Sequence, residues 1–302
     1  MSDTLRAAWE ALALANPAWI GLGLAVFLAS LVAAGARWRV VLRSLRAAID
    51  LRHATLASVA CMFVNNVTPT GRLGGEACRI MISRQGRDLS LARGALASLG
   101  DRLCDIPAAA LLGLLALPTL GQVLGRHATV VLAGALLAVP LGWGALRWLR
   151  STLHAWITSW QRELGDMHVP PRAVLAALGY SGAFWGADLL RLFSVGMAFG
   201  LPFTVPQLAA LSFAQLAGGF VPTPGGIGAI EGALFGVLAL LGVPLDTAVA
   251  FVALERLLTY GTSTVLGAVS VAFAGGRTLL RAALRRGAVD TGTPGPPAGA
   301  AP

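Results

Sequence analysis

Two stretches of the chain carry the same sparse set of chemically active residues. At 67–76 the sequence reads VTPTGRLGGE, and at 222–231 it reads PTPGGIGAIE. With Pro69 set on Pro224, Thr68 falls on Thr223, Gly71 on Gly226 and Glu76 on Glu231. Asp101-Arg102-Leu103 then follows Glu76 by 25 residues, and Glu255-Arg256-Leu257 follows Glu231 by 24. A Pro-Gly turn that opens a helix frees backbone N–H groups at a positive dipole end, which favours an anion. The turns are Pro69-Thr70-Gly71-Arg72, where Arg72 adds its own charge, and Pro222-Thr223-Pro224-Gly225-Gly226. The chemistry on offer is recognition of a phosphate headgroup. The plainer reading is an ordinary turn in which the Glu caps its own backbone. Asn65, Asn66 and Gln215 add polar groups on the approaching limbs and read as hinge rather than ligand.

Ten ionisable residues lie within apolar surroundings: Arg72, Arg102, Arg191 and Arg256 with Glu76, Asp101, Asp105, Asp188, Glu231 and Glu255. Inside a bilayer each costs about 2.5–3.5 kcal/mol on insertion scales, so they must be paired, protonated or hydrated. Asp188 and Arg191 are three apart and can pair on one helix face. Neighbours such as Asp101-Arg102 and Glu255-Arg256 point about 100° apart on a helix and must look elsewhere. Glu76 and Glu231 are the expected partners of Arg102 and Arg256, within or across the two halves. A fixed lattice of ion pairs and a substrate site both fit this set.

The elements that position these residues follow from composition. Of 302 residues, 56% are apolar and only 12% charged, against about 25% in ordinary soluble domains. That excludes a soluble enzyme, a disordered chain and a disulfide scaffold, and leaves an integral membrane protein. Five stretches are long enough for a hydrocarbon core of about 30 Å: 18–36, 91–117, 128–149, 173–200 and 245–273. Two more, 54–82 and 207–243, are broken in the middle by Pro, Gly and polar residues. Their limbs are too short to span and suit re-entrant hairpins. The fold expected is all-α and polytopic, with about five full spans and two re-entrant broken-helix hairpins. The three cysteines, Cys61, Cys78 and Cys104, read as buried free thiols.

The net charge of +9 comes from 23 Arg against 14 acids, without a lysine. Seventeen of the arginines fall in 37–53, 79–93, 147–172 and 277–286. If both hairpins return to the face they left, all seventeen share one side, and only Arg6 and Arg126 face the other. The positive-inside rule then places the N-terminus outside and the C-terminus in the cytoplasm, in the cell (inner) membrane. Nucleic acid is not needed to explain the charge. Residues 4–15, and 150–168 with Trp156 and Trp160, suit short interfacial helices. Residues 1–286 form one transmembrane domain, and 287–302 read as a disordered tail.

Three spans separate the hairpins, so the hairpins enter from opposite faces. The halves, about 18–117 and 173–273, then form an inverted repeat at an offset of about 155, with its site expected at mid-bilayer.

The chain resembles the flippase-like family related to the transmembrane domain of lysylphosphatidylglycerol synthases, the UPF0104-type integral membrane proteins. The resemblance rests on Arg37-Trp38, NNVTPTGRLGGEACR at 65–79, GDRLCD at 100–105, FVPTPGGIGAIEG at 220–232 and LERL at 254–257. It spans roughly 17–275. It implies movement of a phospholipid or other polar lipid between leaflets. The members that make aminoacylated phosphatidylglycerol carry a soluble transferase domain after the membrane part. This sequence ends instead in a short tail, so synthesis of such a lipid is not expected of it. The expectation is a non-enzymatic lipid translocase without cofactor or metal. Its headgroup site would be Arg72, Glu76, Asp101, Arg102, Glu231, Glu255 and Arg256, and its partners membrane lipids, with a second copy or a separate lipid-synthesising enzyme as further candidates. An ion-coupled carrier of a small soluble solute is the first rival. An intramembrane lipid-modifying transferase is the weaker one, because the four His lie in loops, far from the acids.

Overall fold

A computed structural model describes residues 2–69, 73–85, 87, 89–124 and 170–274, and every regular element among them is helical. Helix α1 (Ser2–Ala13) leads into α2 (Pro17–Ser44), which starts where the Asn16 side chain accepts the Ala18 amide and Pro17 fills the first turn. Next come α3 (Leu51–Val67), capped by Asp50, α4 (Leu73–Arg84), α5 (Leu91–Leu103), capped by Ser90, and α6 (Ile106–Leu124). The second half holds α7 (Pro171–Ala198), α8 (Val205–Gly218), a short 3-10 turn (Pro224–Gly226), α9 (Ala229–Leu240) and α10 (Leu245–Arg256). A π-helical turn (Leu257–Gly261) carries α10 on to Ala274.

Four rods are long and apolar enough to cross a membrane: Pro17–Ser44, Leu91–Gly121, Pro171–Ala198 and Leu245–Ala274. They match four of the five expected spans. The fifth, 128–149, lies outside the described residues, as do Arg126, most of the 147–172 loop, the 277–286 arginines and the tail. Two rods are less regular than a plain span. Each is interrupted at its acid-Arg-Leu: the first just after it, at Cys104–Asp105, the second from its Leu onward, in the π turn. Pro107 explains the first break, because its ring meets the carbonyl four residues back, at Leu103, and it offers no N–H.

The broken segments form two helical hairpins whose limbs pack side by side, α3 on α4 and α8 on α9. The longest limb, α3, has 17 residues, about 25 Å, which is short of a hydrocarbon core. At the open end of the first hairpin Asp50, before α3, meets Arg87, beyond α4, at 3.4 Å. Close approach of the limbs requires Gly75, where an added Cβ would sit 2.4 Å from the Cys61 carbonyl oxygen.

The most extensive packing joins α2 to α7, the first helices of the two halves. One apolar core gathers Leu192, Leu211, Leu234, Leu238 and Phe251 from α7 to α10, and a second surrounds Trp38. Helix α1 docks on α10. Leu111, Leu114, Leu117, Val265 and Phe273 point outward and are exposed, the reverse of a water-soluble helix. Cys61, Cys78 and Cys104 are free; Cys61 is buried, the other two only partly.

Candidate functional site

Eleven ionisable residues of the rods and hairpins gather into two clusters, one per half. In the first, Arg37 of α2 donates from Nε to Asp101 of α5 at 2.8 Å and from Nη2 to Asp105 at 3.2 Å. Arg79 of α4 reaches the other Asp101 oxygen at 2.8 Å and Glu76 at 2.5 Å, and its guanidinium lies 3.9 Å from the Trp38 ring centre. Arg102 donates from Nε to Glu76 at 3.1 Å, and Ser98 also donates to Glu76. Helix α7 closes the cluster, with Ser181 and Trp185 donating to Asp105 at 2.8 and 3.1 Å. A guanidinium bound to two carboxylates on different helices fixes those helices in register.

The second cluster is built on the same plan. Arg191 of α7 donates to Glu255 of α10 at 2.6 Å and to Asp188, one turn back, at 2.6 Å. Gln215 accepts from Arg191 at 3.3 Å, and Ser212 donates to Asp188 at 2.5 Å. Arg256 pairs with Glu231 at 2.7 Å, donates to the Gly225 carbonyl at 2.9 Å and faces the Tyr260 ring at 4.9 Å. Ser181 and Asp188 are seven residues apart, so both clusters lean on nearly the same face of α7, about 10 Å apart along its axis.

Each cluster has two layers. The inner pairs, Arg37–Asp101 and Arg191–Glu255, both join residues 64 apart, and all four side chains are buried. The outer pairs, Glu76–Arg102 and Glu231–Arg256, join residues 26 and 25 apart and lie nearer the surface. Arg102 is the most open of the ion-paired interior arginines, with its side chain 42% exposed. At the outer pairs a guanidinium and a carboxylate are both held ready and remain reachable.

The expected partners Glu76–Arg102 and Glu231–Arg256 therefore meet within each half. Asp188 and Arg191 pair locally as their spacing suggested, and Arg191 also takes Glu255. Arg72 and Gly71 lie outside the described residues. Pro69 follows the end of α3 and is exposed; Pro222 is exposed, Pro224 partly so. Gly225 and Gly226 take left-handed φ of 59° and 70°, and a Cβ on Gly225 would strike the Tyr260 ring at 2.3 Å.

One amide at the start of each returning limb is taken by a side chain. The Gly228 amide donates to Glu231 at 2.6 Å, and the Gly75 amide donates to Asn65 at 3.1 Å. Glu231 thus caps its own backbone at the second turn, as the plainer reading has it, whereas in the first hairpin Asn65 takes the amide and Glu76 is bound by Arg79, Arg102 and Ser98. Asn66 is a tie rather than a lining group: it donates to Ser263 at 3.0 Å and Thr264 at 2.9 Å, while the Tyr260 hydroxyl donates to its carbonyl.

Arg37 and Arg79, counted from sequence among the seventeen arginines of one membrane face, are corrected to the buried core of the first cluster. Helix α2 runs on to Ser44, which places Arg37 two turns inside its end, and Arg79 sits mid-way along α4. A signal existed for Arg37. It stands 154 residues before Arg191, the offset that also relates Asp101 to Glu255.

Comparison with known proteins places this geometry. The family described as the lysylphosphatidylglycerol synthase TM region matches residues 4–267. A UPF0104 membrane protein of Methanothermobacter thermautotrophicus is 20% identical over 302 aligned residues, covering 88% of each chain. A UPF0104 membrane protein of Pyrococcus horikoshii is 22% identical, covering 84% of this chain and 86% of its own.

Proposed function

The chain belongs to the family of lysylphosphatidylglycerol synthase transmembrane regions, and from that premise we propose that it is a flippase-like translocase that moves a phospholipid or other polar lipid across the inner membrane. It is a multi-pass membrane protein, and the question is what its interior charges are for. The observation that carries the reading is the layering of those charges. The inner pairs are sealed, whereas Arg102 is 42% exposed beside Glu76. A lipid phosphate can replace a carboxylate on a guanidinium without loss of charge-assisted hydrogen bonding. The Glu76 oxygen that Arg102 releases can then meet a cationic headgroup group such as an amine, while Arg79 and Ser98 keep the other oxygen in place.

The second outer pair, Arg256 on Glu231, provides an equivalent station in the other half. The first hairpin touches the turn of the second, with α3 packed on Pro224–Gly226 and Tyr260 bonded to Asn66. A headgroup would pass between stations related by a pseudo-two-fold axis in the membrane plane, as in transporters built from inverted repeats. The Asp50–Arg87 contact supports re-entry of the first hairpin, because its two ends then share a face. On this reading the N-terminus is outside, the C-terminus cytoplasmic, the protein is not an enzyme, and lipids are its partners.

Reconstitution in liposomes with headgroup-labelled lipids tests the function. Wild type is expected to move at least one lipid class faster than empty liposomes, with Arg102→Ala and Glu231→Gln slower. Failure to accelerate any class, with or without an imposed ion gradient, overturns it.

A further inference from the structure

At the open end of the first hairpin, the last turns of α2 and α4 meet the first turns of α3 and α5. One apolar core ties them together, with Leu45, Ala47 and Ile49 after α2, Ala54 from α3, and Leu89 and Ala97 before and within α5. The loop after α2 alternates over this core: Leu45, Ala47 and Ile49 are buried, while Arg46, Ala48 and Asp50 are exposed. The arginines between these anchors therefore surround one end of the bundle. Arg84 and Arg87 are held locally, Arg84 on the Leu89 carbonyl at 2.7 Å and Arg87 on Asp50 at 3.4 Å. Arg39, Arg43, Arg46, Arg52 and Arg93 form no ion pair with any described residue. The Nε groups of Arg39 and Arg93 are buried with no acceptor among the described residues.

Arg46 stands where glycine is the ordinary residue. It closes α2 at a φ of 59°, with its own amide on the Arg43 carbonyl at 3.1 Å and the Ala47 amide on the Leu42 carbonyl at 2.9 Å. A left-handed residue ending a helix is usually glycine, because a Cβ crowds the following carbonyl there. Strain kept under an exposed side chain that bonds nothing described points to a use for that side chain. Acids do not neutralise this face. Segments 39–53 and 84–93 hold seven arginines against Asp50 and Asp88, the latter outside the described residues. The other arginine-rich segments, 147–172 and 277–290, carry four arginines against two acids and four against one, so they add to the positive charge. Asp3 and Glu10 belong to α1, beyond the far end of α2, which is about 42 Å long. Met81 and Leu91, near Arg84 and Arg93, are 56% and 57% exposed. Guanidinium groups beside outward apolar side chains suit a membrane interface rather than a soluble polyanion.

We propose that Arg39, Arg43, Arg46, Arg52 and Arg93 form a docking surface for the headgroups of anionic phospholipids, separate from the interior pairs at Arg102 and Arg256. Arginine clusters of this size at the ends of spanning helices draw anionic lipid, at about fivefold in affinity per residue near the surface. Phosphate oxygens accept from the guanidinium groups, and the acyl chains lie against the outward apolar side chains. The surface requires a membrane protein and does not depend on the translocase reading.

Native mass spectrometry of the purified full chain in detergent, titrated with phosphatidylglycerol and with phosphatidylcholine, tests this surface. Wild type is expected to prefer phosphatidylglycerol by at least about tenfold, as several arginines act together. Arg43→Gln, Arg46→Gln and Arg52→Gln combined are expected to remove most of that preference. All three side chains are exposed and unpaired among the described residues, so the fold should persist, which tryptophan fluorescence checks. Arg46→Gly separates charge from structure. Glycine relieves the left-handed strain, so the unfolding temperature is expected to rise while phosphatidylglycerol binding falls about fivefold. Arg46→Lys is expected to keep most of the binding, and Arg102→Ala to leave the preference in place. A wild type without the preference, a preference that survives the triple variant, or one lost with Arg102→Ala alone overturns the proposal. So does retention of a short oligonucleotide in place of lipid. The wild-type comparison decides even if a variant fails to fold. Lipid movement is not measured, so failure of the translocase reading leaves this result standing.

Discussion

Arg37 and Asp101, 64 residues apart and both buried, are joined at 2.8 Å, and Arg191 and Glu255, the same distance apart along the chain, are joined at 2.6 Å. In both halves the first helix thus carries the arginine and a later rod the acid. These pairs lock α2 to α5 and α7 to α10, and their energetics differ from those of the outer pairs.

Loss of one inner partner strands a charge in the interior. Arg37→Met is expected to cost about 3–5 kcal/mol. Arg37→Met combined with Asp101→Leu leaves Arg79 and Arg102 against Glu76 and Asp105, a balanced set, and should recover part of that loss. Thermal unfolding in detergent, followed by tryptophan fluorescence, reads the difference; a double variant less stable than Arg37→Met contradicts the pairing.

The outer pair should behave in the opposite way. Arg102 is 42% exposed, so Arg102→Ala is expected to cost at most about 1 kcal/mol, as for other accessible ion pairs. It should nevertheless slow lipid movement strongly. A drop in unfolding temperature as large as that of Arg37→Met, with transport intact, would mean that Arg102 is structural.

The second hairpin turn depends on a left-handed residue. Gly225→Ala places a Cβ at a φ of 59° and 2.3 Å from the Tyr260 ring, so both backbone and packing oppose it. A loss of at least about 1 kcal/mol is expected, together with disturbance of the Arg256 bond to the Gly225 carbonyl. The same substitution at Gly232, where nothing lies within 4 Å, should be nearly neutral and serves as the control.

Topology can be read with thiol labelling in a variant whose three native cysteines are replaced. Ala48→Cys before α3 and Gln85→Cys after α4 should react from the same face of the membrane, because Asp50 and Arg87 meet between them. Thr4→Cys should react from the opposite face. Labelling of positions 48 and 85 from opposite faces would make α3 and α4 a crossing segment and remove the re-entrant hairpin.

Much of this architecture was already present in the order of residues. The apolar runs fixed which segments are long rods and which are broken, since helix length and hydrocarbon thickness are both set by local geometry. The recurrence of Pro-x-Gly-x4-Glu and acid-Arg-Leu marked the two charged regions, because ionisable residues are too costly in apolar spans to recur idly. What sequence could not decide was partnership. Arg37 and Arg79 read as charges of one membrane face because nothing local shows that α2 continues past Arg37 or that α4 turns Arg79 toward Asp101. Period and propensity act over a few residues, whereas a buried charge is settled by whatever another helix brings to it.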